Sequence, residues 1–404
     1  MRFGLDRMRR MMTALGSPHR DFAAVHVVGT NGKTSTARMI AAILQRHGLR
    51  TGTYTSPHMV SYSERVQIAE RDIPEGAFAA AVARAAWAAE RVNRTLAADD
   101  HVTQFELLTA AAFAELARQQ VQVAVVEAGL GARYDATSVA DFKLTALTNV
   151  GLEHTRWLGP TVHDIAEEKL AALAPGATLA LGLDLHDEAL AVARRVARER
   201  HAPIVQADAP WHEPLLAPGE FQRANFALAR VAAIAYLQRA GIEPRAQAIT
   251  QAALQTSSPG RLHVLDGEPL TVLDGAHNPA AARALVGSLR ELIGERPLAL
   301  VLGVLEDKDA ASMLHMLLPH CQRAWFTAPP SPRALSPAAL QSLARQQGFT
   351  EALGEPDPRI ALAQAREWAA QQRDAAVLAT GSIYLVGELL REQRGSERER
   401  EAAG

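Results

Sequence analysis

A chain of 404 residues, 48% hydrophobic and 21% charged, has the make-up of a soluble globular protein and is long enough for two domains. A formal net charge of −2 supplies no global basic field for nucleic acid, and a single cysteine, Cys321, excludes an internal disulfide framework or a thiolate metal cluster. The opening MRFGLDRMRRMM lacks the apolar core and small-residue cleavage site of a secretory signal, and no apolar run reaches the ~18 residues of a membrane helix. A cytoplasmic protein without membrane or nucleic-acid partners is expected.

In chain order, VHVV (25–28) reads as a buried strand, MIAAILQRHG as a helix, and FAAAVARAAWAAERV and ELLTAAAFAELARQ as two more helices. VAVVE (123–127), LTALTNV (144–150) and ATLALG (177–182) are strands, and ALARVAAIAYLQRAG is a helix. After SSPGR (257–261) a second series begins: LTVLDGAH, PLALVLGV, AWFTAP and AAVLATG, with helical sequence between them. Strands alternating with helices imply parallel sheets covered on both faces. Pro and Gly after a helix set the domain boundary at Ser257–Gly260, and the tail REQRGSEREREAAG, lacking an apolar face, is expected to be frayed.

The stretch VHVVGTNGKTSTARMIAAIL (25–44) carries the first chemistry. A strand runs into Gly29, Thr30, Asn31, Gly32 and Lys33, and a helix follows, the setting in which free backbone N–H groups cradle phosphate. The spacing between the glycines is two residues shorter than the common phosphate loop has. Thr34, Ser35 and Thr36 after the lysine supply hydroxyls for phosphate or Mg²⁺. A plain glycine turn with a solvated lysine is the bland alternative.

Downstream, TSPHMVSYSERVQI (55–68), VVEAGLGARYDAT (125–137), TNVGLEHTRWLG (148–159), IAEEKLAAL (165–173), SSPGRL (257–262), VLDGAHNP (272–279), LGVLEDKD (302–309) and ATGSIYLVGE (379–388) follow in order. Together they resemble the folylpolyglutamate synthase and dihydrofolate synthase family of the Mur ligase superfamily, from Phe3 to Glu388. The resemblance implies an α/β protein of two domains. Residues 1–258 would form a P-loop ATPase-like parallel sheet with helices on both faces and a pterin site. Residues 259–404 would form a smaller Rossmann-like glutamate ligase domain.

It also implies a reaction: ATP-dependent addition of L-glutamate to dihydropteroate or a reduced folate, through an acyl phosphate, by a monomer. Such a ligase must turn a carboxylate into a good electrophile, and phosphoryl transfer does so when metal and positive charge spread over the phosphate oxygens. Ser56, Glu127 and His154 occupy the family's Mg²⁺ positions. Glu127 ends an apolar strand, the edge where α/β proteins bind ligands, whereas imidazole is an unusual magnesium ligand. By resemblance, ATP is held by Thr30–Ser35 with Asn225, Arg261 and Asp274, and the pterin by Arg2, Phe3, Gly4, Thr103, Gln104, Phe105, Glu106, Tyr134, Asp135 and Ala136. His277 and Ser382 are expected near the incoming glutamate, and division of these residues between domains implies closure.

Lys169 divides the two ways of reading. Beside two glutamates in IAEEKLAAL it reads locally as a solvated helix face, while the resemblance implies a lysine carbamylated by carbon dioxide and supporting a second Mg²⁺. Three departures are visible: Leu170-Ala171 stands where the family has Ala-Gly, Gly131-Ala132 replaces a double glycine, and Tyr134 replaces a leucine. The last two bear on the pterin pocket. Thr103-Gln104-Phe105-Glu106 is also a helix capping box. Two rivals remain at this point: a Mur-type ligase of a cell-wall precursor, for whose usual extra N-terminal domain only about 24 residues are available, and a P-loop switch ATPase that ligates nothing.

Overall fold

A computed structural model describes residues 4–392. Arg2 and Phe3, expected at the pterin site, and most of the tail expected to fray lie outside the described residues. The chain divides into two compact units. The first runs to Leu216 and includes Gln222–Thr256; the second comprises Ala217–Phe221 and the chain from Ser257 onward.

The strands of the first unit are β1 (Ala23–Val28), β2 (Thr51–Tyr54), β3 (Val66–Ile68), β4 (Arg71–Asp72), β5 (Val123–Glu127), β6 (Phe142–Leu147), β7 (Thr178–Leu181) and β8 (Ile204–Gln206). Among the described residues they form an eight-stranded sheet in the order β4-β3-β2-β5-β1-β6-β7-β8. From β2 to β8 the pairings are parallel, as expected, but β3 runs antiparallel to β2 and β4. The purely parallel sheet expected from the alternation is thus corrected at one edge, where a short hairpin needs no crossover helix.

Two cores lie on the sheet. One joins Met8, Met11, Tyr54, Phe113, Leu116 and Val126 with the alanines of the helices Glu75–Asn93 and Gln104–Arg118. Alanines at 81, 85, 88, 110, 111 and 112 are almost wholly buried, so these two helices pack through small side chains. The other joins Val28, Leu147, Leu179, Ile165, Leu170 and Val192, beneath the helices Val162–Leu170 and Asp187–Glu199. Expected LTALTNV shortens to Phe142–Leu147, since Thr148 and Asn149 leave the ladder for the phosphate loop.

The second unit has β9 (His263–Leu265), β10 (Thr271–Leu273), β11 (Leu298–Leu302), β12 (Arg323–Phe326), β13 (Ala352–Gly354) and β14 (Ala376–Thr380). Their order among the described residues is β13-β12-β11-β14-β10-β9, parallel except for the antiparallel edge strand β9. Its core packs Val272, Leu285, Leu300, Met313, Phe326 and Leu378. No helix among the described residues is long and apolar enough to cross a membrane.

Candidate functional site

β1 delivers the chain to the glycine loop 29–32, the expected phosphate loop, at the carboxyl edge of the first sheet, and the helix Lys33–Arg46 leaves it. Gly32 caps that helix at φ 80°, a left-handed conformation that favours glycine. A Cβ there would come within 2.3 Å of Asn225 Oδ1, and one on Gly29 within 1.8 Å of Thr148 Oγ1. Both glycines are therefore set by close approach as well as by backbone angle.

The residues after β6 fasten the loop. Thr30 N–H donates to the Asn149 carbonyl (3.0 Å), Asn31 N–H to Asn149 Oδ1 (2.9 Å), and Thr148 Oγ1 to the Asn31 carbonyl (2.6 Å). Gly151 N–H donates to Thr30 Oγ1 at 3.0 Å. Thr148 and Asn149 were missed from the sequence because LTALTNV reads as one strand through residue 150, whereas the strand ends at Leu147 and frees them for the loop. The Lys33 ammonium folds back on the Thr30 carbonyl at 3.0 Å. Asn225, in the helix Glu220–Arg239, donates through Nδ2 to Gln222 Oε1 at 3.0 Å and turns its oxygen toward Gly32.

Glu127 closes β5 and is 2% exposed. Its Oε2 accepts from Thr34 Oγ1 at 2.8 Å and from the Ser56 N–H at 3.1 Å. Glu127, Thr34 and Ser56 are thus brought together at the start of the loop's helix. Among the described residues there is no cluster of three or more His, Cys, Asp or Glu side chains able to hold a metal alone. Carboxylate and hydroxyl oxygens beside a phosphate loop do fit magnesium, which takes one or two protein oxygens and fills its octahedron with phosphate and water. His154 sits at φ 52° before the short helix Thr155–Leu158, with Nε2 3.9 Å from Glu153 Oε1.

Lys169 is buried, not solvated as its local sequence suggested. Its Nζ donates to the Gly29 carbonyl at 2.6 Å, so the amine touches the phosphate loop itself. Burial first and the nearby Lys33 charge second lower its pKa to about 7, with Glu153 opposing them. The neighbouring carboxylates point elsewhere: Glu168 pairs with Arg133 at 2.7 Å and Glu167 pairs with Arg195.

The expected pterin residues fall into two groups. Thr103 and Glu106 form a reciprocal capping box on the helix Gln104–Arg118, and Glu106 also takes the Arg7 guanidinium at 3.0 Å. Gln104 reaches the Tyr62 hydroxyl at 3.4 Å. Phe105 and Asp135 meet over Gly129, where a Cβ would stand 2.6 Å from Phe105 Cζ and 3.1 Å from Asp135 Oδ2. Asp135 is buried and accepts from the N–H groups of Gly129 (3.0 Å) and Leu130 (2.9 Å) and from Thr137 N–H (3.0 Å) and Oγ1 (2.6 Å). Burial pushes its pKa up, opposed by those donors. Ala136 is buried, Tyr134 exposed and Gly4 half-buried.

In the second unit Asp274 follows β10, buried, with Oδ2 accepting from Leu262 N–H and Oδ1 from Ala276 N–H, both at 2.8 Å. Burial pushes its carboxyl up, and the positive charge of Arg261 opposes that. Gly275 separates Arg261 from Ile383: a Cβ there would lie 3.0 Å from Arg261 Nη1 and 3.0 Å from Ile383 Cγ2. His277 Nδ1 is 2.9 Å from the Gly275 carbonyl, which fixes the proton on Nδ1 in the neutral ring. Ser382 is buried just past β14, its Oγ accepting from Tyr384 N–H at 3.1 Å. Asp274 N–H to the Ala379 carbonyl and Gly381 N–H to the Ala276 carbonyl, both 3.0 Å, tie the LDGAH and TGSIY segments together.

Family models match the chain twice: the Mur ligase middle domain over residues 27–174 and the Mur ligase glutamate ligase domain over residues 260–383. A folylpolyglutamate synthase of Lacticaseibacillus casei is 32% identical, covering 94% of this chain and 92% of the relative. A dihydrofolate synthase/folylpolyglutamate synthase of Bacillus subtilis is 30% identical over 96% of this chain and 94% of its own. Among solved structures, a Mycobacterium tuberculosis folylpolyglutamate synthase complexed with ADP superposes with a TM-score of 0.91 at 29% identity, covering 96% of this chain and 94% of that one. E. coli FolC in complex with DHPP and ADP gives 0.83 at 28% identity over 98% and 94%.

Proposed function

This chain belongs to the folylpolyglutamate synthase and dihydrofolate synthase family of Mur ligases, and from that premise we propose how its residues divide the work of an ATP-dependent glutamate ligase. The reaction joins L-glutamate to the carboxylate of dihydropteroate or a reduced folate in folate metabolism, with ADP and phosphate released. The ADP and DHPP in the relatives' structures support a nucleotide and a pterin as the ligands here.

In the first unit we assign Thr30–Ser35 to the ATP phosphates, with the loop N–H groups and Lys33 as donors and Asn225 beside them. Ser56, Glu127 and His154 are assigned to magnesium, which when bound supplies positive charge across the phosphate oxygens. Glu127 Oε2 orients both the Thr34 hydroxyl and the Ser56 N–H, which puts its carboxylate between the loop's helix and residue 56, where it would hold the ion. The pterin is assigned to Phe105 with residues 134–136, Gly4 and Gln104. Thr103 and Glu106 act there chiefly by fixing the start of their helix. In the second unit we assign Arg261 and Asp274 to the nucleotide, and His277 and Ser382 to the incoming glutamate. Arg261 can fork onto phosphate as charge develops.

The single observation carrying this reading is the buried Lys169 amine on the Gly29 carbonyl. A switch ATPase has no use for a buried lysine of lowered pKa set against its phosphate loop. A ligase of this family can react it with carbon dioxide: the amine's lone pair forms an N–C bond, one proton leaves, and an anionic oxygen ligand results. We further propose a cytoplasmic monomer acting on small molecules, which sedimentation of the purified protein would check.

The deciding experiment supplies ATP, Mg²⁺ and glutamate with dihydropteroate and with tetrahydrofolate in separate reactions. A product heavier by one glutamate from either pterin supports the assignment. ATP turnover with no glutamylated product from either overturns it.

A further inference from the structure

His26 lies in the middle of β1, wholly buried and stacked on Phe142, with ring centroids 4.0 Å apart and an interplanar angle of 4°. Nothing in the reaction as assigned uses it. Its Nε2 is 3.0 Å from Thr137 Oγ1, and Thr137 Oγ1 is 2.6 Å from Asp135 Oδ1. His26 thus joins Asp135 and Thr137, more than 100 positions further along the chain, in one buried hydrogen-bonded chain.

Counting protons sets its direction. Asp135 meets donors on both oxygens: Thr137 N–H and Oγ1 on Oδ1, Gly129 and Leu130 N–H on Oδ2. An ionised carboxylate offers about four acceptor positions, so this one is full and is acting as an acceptor. The single Thr137 hydroxyl proton therefore goes to Asp135, and the Thr137 oxygen accepts from His26 Nε2–H. His26 Nδ1 is then left as a lone pair, in keeping with its having no partner among the described residues. The opposite arrangement would bury an unpaired N–H, the rarer and costlier defect. Burial lowers the His26 pKa to about 3, so the ring stays neutral and the direction holds across the working pH range.

At its far end the chain of bonds grips the backbone after Glu127. Asp135 pins Gly129 and Leu130, and Gly129 lies against Phe105 so closely that no side chain fits between them. With its acceptor positions filled, Asp135 acts on a ligand through this loop and the Phe105 ring, not through a bond of its own.

We propose that His26 and Thr137 form a relay that, through Asp135, holds the Gly129–Gly131 loop against Phe105 in the shape that receives the pterin, which makes both of them positioning residues for that substrate. This rests on the assignment of Phe105 and residues 134–136 to the pterin.

The test is steady-state kinetics with the pterin, ATP and Mg²⁺ varied in turn. Thr137→Val removes the hydroxyl at nearly constant shape and should raise the pterin KM by about three- to tenfold, leaving the ATP KM and the Mg²⁺ half-saturation within about twofold. Thr137→Ser should restore the pterin KM. His26→Gln, whose amide can reach Thr137, should behave like the parent, and His26→Asn, too short to reach, like Thr137→Val. That second pair decides the matter if Thr137→Val does not fold. An unchanged pterin KM in folded Thr137→Val or His26→Asn overturns the relay, as does an equal rise in the pterin and ATP constants. Phe105→Ala separates the two levels: if it raises the pterin KM while the relay variants do not, only the relay fails. If it leaves the pterin KM unchanged, the pterin assignment itself falls.

Discussion

The side-chain nitrogen of Lys169 lies 2.6 Å from the carbonyl oxygen of Gly29, joining the helix Val162–Leu170 to the first residue of the phosphate loop. An ordinary lysine amine is almost wholly protonated at neutral pH, whereas one with a pKa of about 7 is about half neutral there. The neutral form is the one that reacts with carbon dioxide, as the proposed carbamylation requires, and it lies against the Gly29 carbonyl.

Its titration also bears on stability. The folded pKa of about 7 lies below the unfolded value, so the unfolded chain binds more protons between about pH 7 and 10. Below that window both states are charged and the full burial penalty is present; as pH rises through it the penalty disappears and stability increases. Lys169→Met should therefore be inactive, yet more stable than the parent at pH 7 in bicarbonate-free buffer, with a flatter stability curve from pH 7 to 10. Denaturant titrations at several pH values measure this. A parent whose stability falls across that interval relative to Lys169→Met would contradict the buried-amine assignment.

How much of this was legible beforehand depended on whether a signal was local. Gly32 and Lys33 were readable as a glycine loop between a strand and a helix, and Glu127 as a carboxylate at a strand end, because each rests on adjacent residues. Lys169 was misleading locally: Glu167 and Glu168 suggested a wet face, but they turn to Arg195 and Arg133 while the lysine points inward. The strand TGTY went unread because glycine weakens a strand signal; Gly52 is there to let Leu116 approach, since a Cβ would stand 2.3 Å from Leu116 Cδ2. His26 within VHVV was simply a strand residue. Its pairing with Thr137 spans 111 positions, and no periodicity encodes such a contact.

Lys33 tests the loop. In Lys33→Ala the fold should survive, because among the described residues the ammonium's hydrogen bond is to the Thr30 carbonyl three residues away. Removing a positioned charge at a phosphoryl-transfer site typically costs ~10²-fold or more in rate. Near-parental ATP turnover in a variant with an unchanged circular dichroism spectrum would remove the loop from the mechanism.

Glu127 tests the metal. Glu127→Gln keeps the shape and can still accept from Thr34 and Ser56, but it loses the charge that attracts a divalent cation. The Mg²⁺ concentration for half-maximal rate should rise by about tenfold or more, with excess Mg²⁺ restoring part of the rate. Coincident Mg²⁺ titrations for variant and parent would show that Glu127 is not a ligand.

The acyl phosphate tests the whole sequence of events. If the pterin substrate's carboxylate attacks the terminal phosphorus of ATP, one carboxylate oxygen becomes the bridge between carbon and phosphorus. Glutamate's amine then attacks carbon, the carbon–oxygen bond breaks, and phosphorus keeps the oxygen it received. Substrate carrying heavy oxygen in that carboxylate should therefore deliver one labelled oxygen into each inorganic phosphate released. Hydrolysis of ATP by water leaves phosphate unlabelled however fast it runs, so mass spectrometry of the phosphate separates ligation from idle turnover. Lys33→Ala and Glu127→Gln should lower labelled phosphate and glutamylated product in parallel, because both residues act before the carbon–oxygen bond breaks. Glutamylated product accompanied by unlabelled phosphate would mean that the carboxylate is activated in some other way.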